Sequence, residues 1–151
     1  MKIAIGADHR GVELKEKIKE LLRSLHHEPI DVGTQGDASV DYTDFAIAAA
    51  EMVANGQADR GILVCGSGVG MSIAANKVDG VRAALATSPE GARLARAHND
   101  ANVLALGAGQ GADAATVMKI VKEFLATAFE GGRHERRVEK IRAYEQKKGR
   151  S

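Results

Sequence analysis

The sequence has only one cysteine, Cys65, in 151 residues, so no internal disulfide can form. It has no apolar run of bilayer-spanning length. No basic-then-apolar leader precedes Met1-Lys2-Ile3-Ala4-Ile5, which reads as a strand instead. Charge of one sign is not in excess either: 21 Lys and Arg against 20 Asp and Glu leave a formal net charge of +1. Nucleic acid or an anionic membrane therefore finds no chain-wide attraction, although the basic residues do gather late in the chain. Internal repeats, low-complexity tracts and long linkers are missing as well. A hydrophobic content of 44% is enough for a core of normal size. These features together predict a cytoplasmic chain folded as a single domain across residues 1–151.

Short apolar runs alternate with helical patterns. Lys2 to Gly6 reads as a strand, and Val12, Leu14, Ile18, Leu21, Leu22 and Leu25 recur at helical spacing behind it. Pro29 to Gly33 is the second strand. A polar loop from Thr34 to Tyr42 follows, then an alanine-rich helix from about Asp44 to Asn55, ended by Gly56. Arg60 to Cys65 is the third strand, Arg82 to Ala86 the fourth and Asn102 to Gly107 the fifth. Helices are expected from near Gly70, over Pro89 to His98, and over Ala112 to Phe129. Near-continuous apolar strands separated by crossover helices predict an α/β fold, a Rossmann-like three-layer α/β/α arrangement on a five-stranded parallel sheet. Ligands in such folds bind outside the carboxyl ends of the strands. After a break at Gly131-Gly132, the charged segment 133–148 has little sheet left to cover. It is expected to extend as a C-terminal helix, packing near an interface with a partner chain.

The cysteine lies where the third strand turns into a helix, in Cys65-Gly66-Ser67-Gly68-Val69-Gly70. There its thiolate would face unpaired amides and the positive end of a helix dipole, and the same amides would hold a developing oxyanion. An isolated cysteine after an apolar run is ordinarily a small buried hydrophobe; the glycine turn favours the reactive reading. Other polar residues fall at strand ends: Asp8, His9 and Arg10 after the first strand, and His98, Asn99 and Asp100 before the fifth. His98 and Asn99 sit at the amino end of their strand, across the sheet from Cys65. If they serve the same site, a dimer must bring one chain's His98 to its neighbour's cleft. Ordinary structural roles also exist for these residues. Asp8 would serve as a helix N-cap, His26-His27 and His98 as dipole-complementing helix ends, Tyr42 as packing, and Arg133, Arg136 and Arg137 as a solvated face.

These pieces resemble the type B ribose-5-phosphate isomerase family, which also includes galactose-6-phosphate and allose-6-phosphate isomerases. The matching segments are Gly6-Ala7-Asp8-His9, Asp41-Tyr42, Gly61 through Gly70, Ile73-Ala74-Ala75-Asn76-Lys77, His98 through Leu104, and Gly131-Gly132-Arg133-His134 with Arg137. The resemblance implies that Cys65 moves a proton between C1 and C2 of an open-chain sugar. It implies that Ser67, with the turn of Gly66, Gly68, Val69 and Gly70, holds the enediolate oxygens. His98 is implied to open the furanose ring, with Asp8 near the ring hydroxyls and Tyr42 and Asn99 touching the sugar. His9, Arg133 and Arg137 form the implied phosphate set, with His134 nearby. A homodimer, in some members a dimer of dimers, is implied, with sites built from two chains and no metal or organic cofactor.

The chemistry agrees with the residue types. Abstracting a proton alpha to a carbonyl needs a base, donors where the enolate oxygen develops, and exclusion of water. Arg133 and Arg137 lie four apart, on one helix face, where two guanidinium forks would grip one phosphate. One departure stands out. Many family members carry an arginine shortly after the fifth strand, where this chain has Gly107-Ala108-Gly109-Gln110-Gly111.

A dinucleotide module would place G-x-G-x-x-G after the first strand, not G-x-G-x-G after the third. A G-x-S-x-G hydrolase would need glycine where Cys65 stands. The activity that the resemblance implies is interconversion of ribose 5-phosphate and ribulose 5-phosphate in the pentose phosphate network. The alternatives are another sugar phosphate (allose 6-phosphate, galactose 6-phosphate or a tetrose phosphate) and a non-catalytic sugar-phosphate sensor.

Overall fold

The computed structural model describes residues 1–109 and 113–149. The apolar runs Lys2–Ala7 (β1), Arg60–Cys65 (β3) and Val103–Gly107 (β5) form the inner strands of a parallel sheet. The less buried Glu28–Asp31 (β2) and Ala83–Leu85 (β4) form its edges, in the order β2-β1-β3-β5-β4. Helices Val12–Ser24 (α1), Tyr42–Ala54 (α2), Val69–Ala75 (α3), Pro89–Asn99 (α4) and Ala114–Ala126 (α5) cover it, and Arg133–Gly149 (α6) follows. The three-layer α/β/α architecture with five parallel strands and an extending last helix is the one the sequence predicts. None of these helices is long and apolar enough to cross a membrane.

Alternate residues of each strand serve opposite layers. Ile3, Ile5, Ile62, Val64, Leu104 and Leu106 face α1, α4 and α5, where they meet Ile18, Leu22, Ile120 and Phe124. Burying each such side chain contributes about 1.5–3 kcal/mol. On the other face Ala4, Leu63, Cys65 and Ala105 meet Ala46, Ala49, Ala50 and Met71 of α2 and α3. That layer is built from small residues because α2 rides close to the sheet: a β-carbon at Gly6 would fall 2.9 Å from the Phe45 carbonyl oxygen.

Strand order positions the site. The chain leaves β1 toward β2 on one side and returns through α2 to β3 on the other, opening a crevice between the carboxyl ends of β1 and β3. Asp8 and Cys65 stand at those ends, and Ala7 pairs with Val64 in register.

Several boundaries differ from expectation. The second helix starts at Tyr42, with Asp41 as its N-cap, so Tyr42 belongs to a helix and not to the loop. Helix α5 stops at Ala126 because Thr127 is extended (φ −82°, ψ 125°); the expected start at Ala112 lies outside the described residues, as do Gln110 and Gly111. Asp8 is not the cap of α1. Gly11 holds that place, and the Asp8 carboxylate accepts from the Arg10 amide instead.

Candidate active site

Cys65 is the last residue of β3 and is 5% exposed. Its Sγ accepts a hydrogen bond from the Gly68 amide at 3.1 Å, closing the turn onto the sulfur. This geometry needs Gly68 in the left-handed region at φ 78°, where a β-carbon would also fall 2.9 Å from the Leu106 carbonyl carbon. Ser67 Oγ accepts from the Val69 amide at 3.2 Å, which leaves its own O–H to donate outward. The Cys65 and Gly66 carbonyls are bound by the amides of Ala108 (2.7 Å) and Gly109 (2.9 Å), so the stretch after β5 is tied to this turn.

A cleft of about 290 Å³ opens here, lined by Asp8, Arg10, Tyr42, Cys65, Gly66, Ser67, Gly70 and Gly109. Asp8 is buried, with Oδ1 accepting from the Arg10 amide at 3.0 Å. The Tyr42 ring lies over Gly70, where a β-carbon would come within 2.6 Å of Cζ and 3.0 Å of Oη. His9 stands beside this wall, its Nδ1 accepting from the Val40 amide at 3.2 Å. Val69, exposed, begins α3. Asp8, Tyr42, Cys65, Gly66, Ser67 and Gly70 are thus gathered in one place.

The remaining expected residues are gathered elsewhere. His98, on the last turn of α4, stacks on the buried His134 of α6, with ring centroids 4.1 Å apart and planes 12° from parallel. His98 Nε2 lies 3.6 Å from Glu130 Oε1, and Arg133 Nε lies 3.5 Å from His134 Nε2. Burial holds the His134 pKa below its ordinary value, and the neighbouring His98 and Arg133 charges push the same way. Arg137 is exposed on α6. Asn99 lines a separate hollow with Arg82, Ile141 and Glu145, its carbonyl accepting from Arg82 Nε at 3.0 Å. These groups belong to the amino rim of the sheet: Gly61 at the start of β3 donates to the Asn102 carbonyl, whereas Cys65 pairs with Gly107 at the far end. Four residues of strand, about 13 Å, separate the two rims.

Among the described residues His98, Glu130 and His134 are the group whose ligand atoms approach within 4.8 Å of one another. Parallel stacking aims the two imidazole edges side by side and not toward one point, so the trio is not a preformed tetrahedral metal site. Sequence reasoning gave no role to Glu130 or Arg10. The sequence places Arg10 with Asp8 and His9 at the end of the first strand, but its contacts come from two turns distant in sequence.

The model of the Ribose/Galactose Isomerase family matches residues 3–141. Ribose-5-phosphate isomerase B of Escherichia coli is 47% identical, over 97% of this chain and 98% of that protein. Among solved structures, Clostridium thermocellum ribose-5-phosphate isomerase B superposes with a TM-score of 0.94 at 50% identity, covering 97% of this chain and 99% of that one. The Mycoplasma genitalium ribose-5-phosphate isomerase B, with ribulose-5-phosphate bound, superposes with a TM-score of 0.91 at 47% identity, covering 96% of each chain.

Proposed function

The chain belongs to the ribose/galactose isomerase family, and from that premise we propose that it interconverts ribose 5-phosphate and ribulose 5-phosphate through an enediolate, without a cofactor. The observation that carries this reading is the Cys65 thiol at the β1/β3 crevice, held by the Gly68 amide beside the outward-facing hydroxyl of Ser67. Cys65 as thiolate takes the proton from C2 of the open-chain aldose; the C2 electrons form the C1–C2 double bond and negative charge moves to O1. Ser67 donates to that oxygen. Return of the proton from Cys65 to C1, with transfer of the O2 proton to O1, leaves the carbonyl at C2. Asp8 and Tyr42, which line the same cleft, orient the sugar hydroxyls.

The ring-opening role of His98, the sugar contact of Asn99 and the phosphate roles of Arg133 and Arg137, with His134 nearby, require these residues to come from a second copy of the chain, with His9 contributing from the first. The proposed unit is a homodimer, with α6 near its interface. Exposed Val69, Ile73 and Leu85 around α3, and Ile141 and Tyr144 on α6, supply apolar surface for such an interface.

The test is turnover of the wild type and of Cys65→Ala on ribose 5-phosphate, with allose 6-phosphate and galactose 6-phosphate in parallel. Loss of the positioned base is expected to lower turnover about a hundred- to ten-thousandfold. Near-normal activity in a folded variant removes the cysteine from the mechanism. Activity on a hexose phosphate alone keeps the mechanism and changes the substrate. A folded wild type that binds sugar phosphates but turns none over is a sensor.

A further inference from the structure

The guanidinium of Arg10 is seated between two glycine turns. A β-carbon at Gly66 would lie 2.8 Å from Nη1 and 2.9 Å from Cζ, and one at Gly109 would lie 3.2 Å from Nη2. Any side chain at Gly66 would therefore displace it. Arg60, Arg82, Arg93 and Arg96 each spend their guanidinium on carbonyls or carboxylates. Among the described residues the Arg10 side chain has no such partner, and its only hydrogen bond is through the main chain, to Asp8. It is an exposed cation whose guanidinium rests against the backbone of these two turns.

Among the described residues Arg10 is also the only basic one lining the Cys65 cleft. It forms the wall shared with a second hollow of about 220 Å³, whose other cation, Lys17, is paired with Glu13 at 3.5 Å. The chain offers no lysine or arginine between Arg96 and Lys119, so the segment after β5 brings no cation to this rim. Resting on the isomerase reading above, we infer that Arg10 binds the phosphate of the sugar substrate from the same chain that carries Cys65. Arg10 lines the cleft, and a planar guanidinium fork carries parallel N–H donors of the geometry that matches a phosphate dianion. Arg10 fills the charge that the Gly107–Gly111 stretch lacks.

The experiment compares wild type, Arg10→Gln, Arg10→Lys and the exposed control Arg136→Gln. It reads KM and kcat on ribose 5-phosphate, and titrates inorganic phosphate by calorimetry. Losing a hydrogen bond to a charged group corresponds to about a ten- to hundredfold effect. Arg10→Gln is expected to raise KM and the phosphate dissociation constant together by that factor, with kcat within about threefold of wild type. Arg10→Lys should recover part of the loss, and Arg136→Gln should change neither. Unchanged phosphate binding in Arg10→Gln overturns the inference, as does a fall in kcat alone or an equal weakening in Arg136→Gln. If the wild type turns over no sugar phosphate, the isomerase reading fails while the phosphate titration still decides the role of Arg10.

Discussion

The imidazole of His98 lies parallel to that of His134, 4.1 Å away, joining the end of α4 to the first turn of α6. Burial lowers the His134 pKa from its ordinary 6.5, with the His98 and Arg133 charges adding to it. The unfolded chain therefore takes up a proton at this position before the folded one does. Its stabilising contribution is complete above pH 6.5 and falls away as pH drops through that value toward the folded-state pKa. The Tm difference between wild type and His134→Asn should be largest above about pH 7 and shrink on acidification to about pH 5. A difference that stays constant across that range would show that proton uptake at His134 is not linked to folding.

Lys15 is fully buried, its Nζ 3.0 Å from Asp31 Oδ2 and 2.6 Å from the Thr34 carbonyl oxygen, and Lys19 reaches the same carboxylate at 2.8 Å. Burial of Asp31 opposes its charge, but hydrogen bonds from Lys19, Gln35, Lys15 and the Gly33 amide outweigh burial and hold its pKa at about 2. Asp31→Asn leaves the buried Lys15 ammonium only the more distant carboxylate of Glu16, 3.8 Å away, and should cost about 3 kcal/mol in urea unfolding at pH 7. Lys15→Met should cost less, because Lys19 still neutralises Asp31. The Asp31 contribution is present above 3.8 and is lost as pH falls from there through about 2. Equal losses for the two substitutions would count against a buried charge as the cause.

Two glycines of the Cys65 turn should separate folding from binding. Alanine at Gly68 meets the Leu106 backbone at 2.9 Å in a left-handed conformation, so neither neighbour nor chain can yield cheaply. Gly68→Ala should destabilise by about 1–3 kcal/mol and pull the amide off the Cys65 sulfur. The three atoms nearest an alanine β-carbon at Gly70 all belong to the Tyr42 ring, which is 40% exposed. Gly70→Ala should stay within about 0.5 kcal/mol of wild type while raising KM through the displaced ring. Denaturant midpoints and steady-state kinetics on the same preparations decide this, and a KM unchanged in Gly70→Ala takes Tyr42 out of substrate binding.

The parts of the molecule legible in the sequence are those that local pattern determines. β3 runs from Arg60 to Cys65 as its apolar run and following glycine indicate, and the strand–helix alternation leads directly to the parallel sheet. The start of α2 at Tyr42 is less legible. Asp41 starts α2 without a side-chain capping bond, so the cap leaves a weak local signal. The Arg10 seat and the His98–His134 stack are contacts between turns and helices far apart in sequence, and residue type alone carries no record of them. The same holds for Glu130, whose amide is bound to the Ala97 carbonyl, which brings its carboxylate to His98.

Separation of Cys65 from His98 along the length of the strands leads to a test of shared sites. If each site takes Cys65 from one chain and His98 from its partner, Cys65→Ala and His98→Asn are each inactive on cyclic ribose 5-phosphate, yet they complement one another. A mixed dimer has one site carrying both defects and one carrying neither. After denaturation and co-refolding at equal concentrations, half the dimers are mixed and half of their sites intact, so about a quarter of wild-type activity should return. Separately refolded variants, mixed without exchange, should stay inactive. No recovery from co-refolded chains that form mixed dimers would place the ring-opening group within the Cys65 chain. His98 would then be a structural partner of His134 and Glu130, holding α4 against α6.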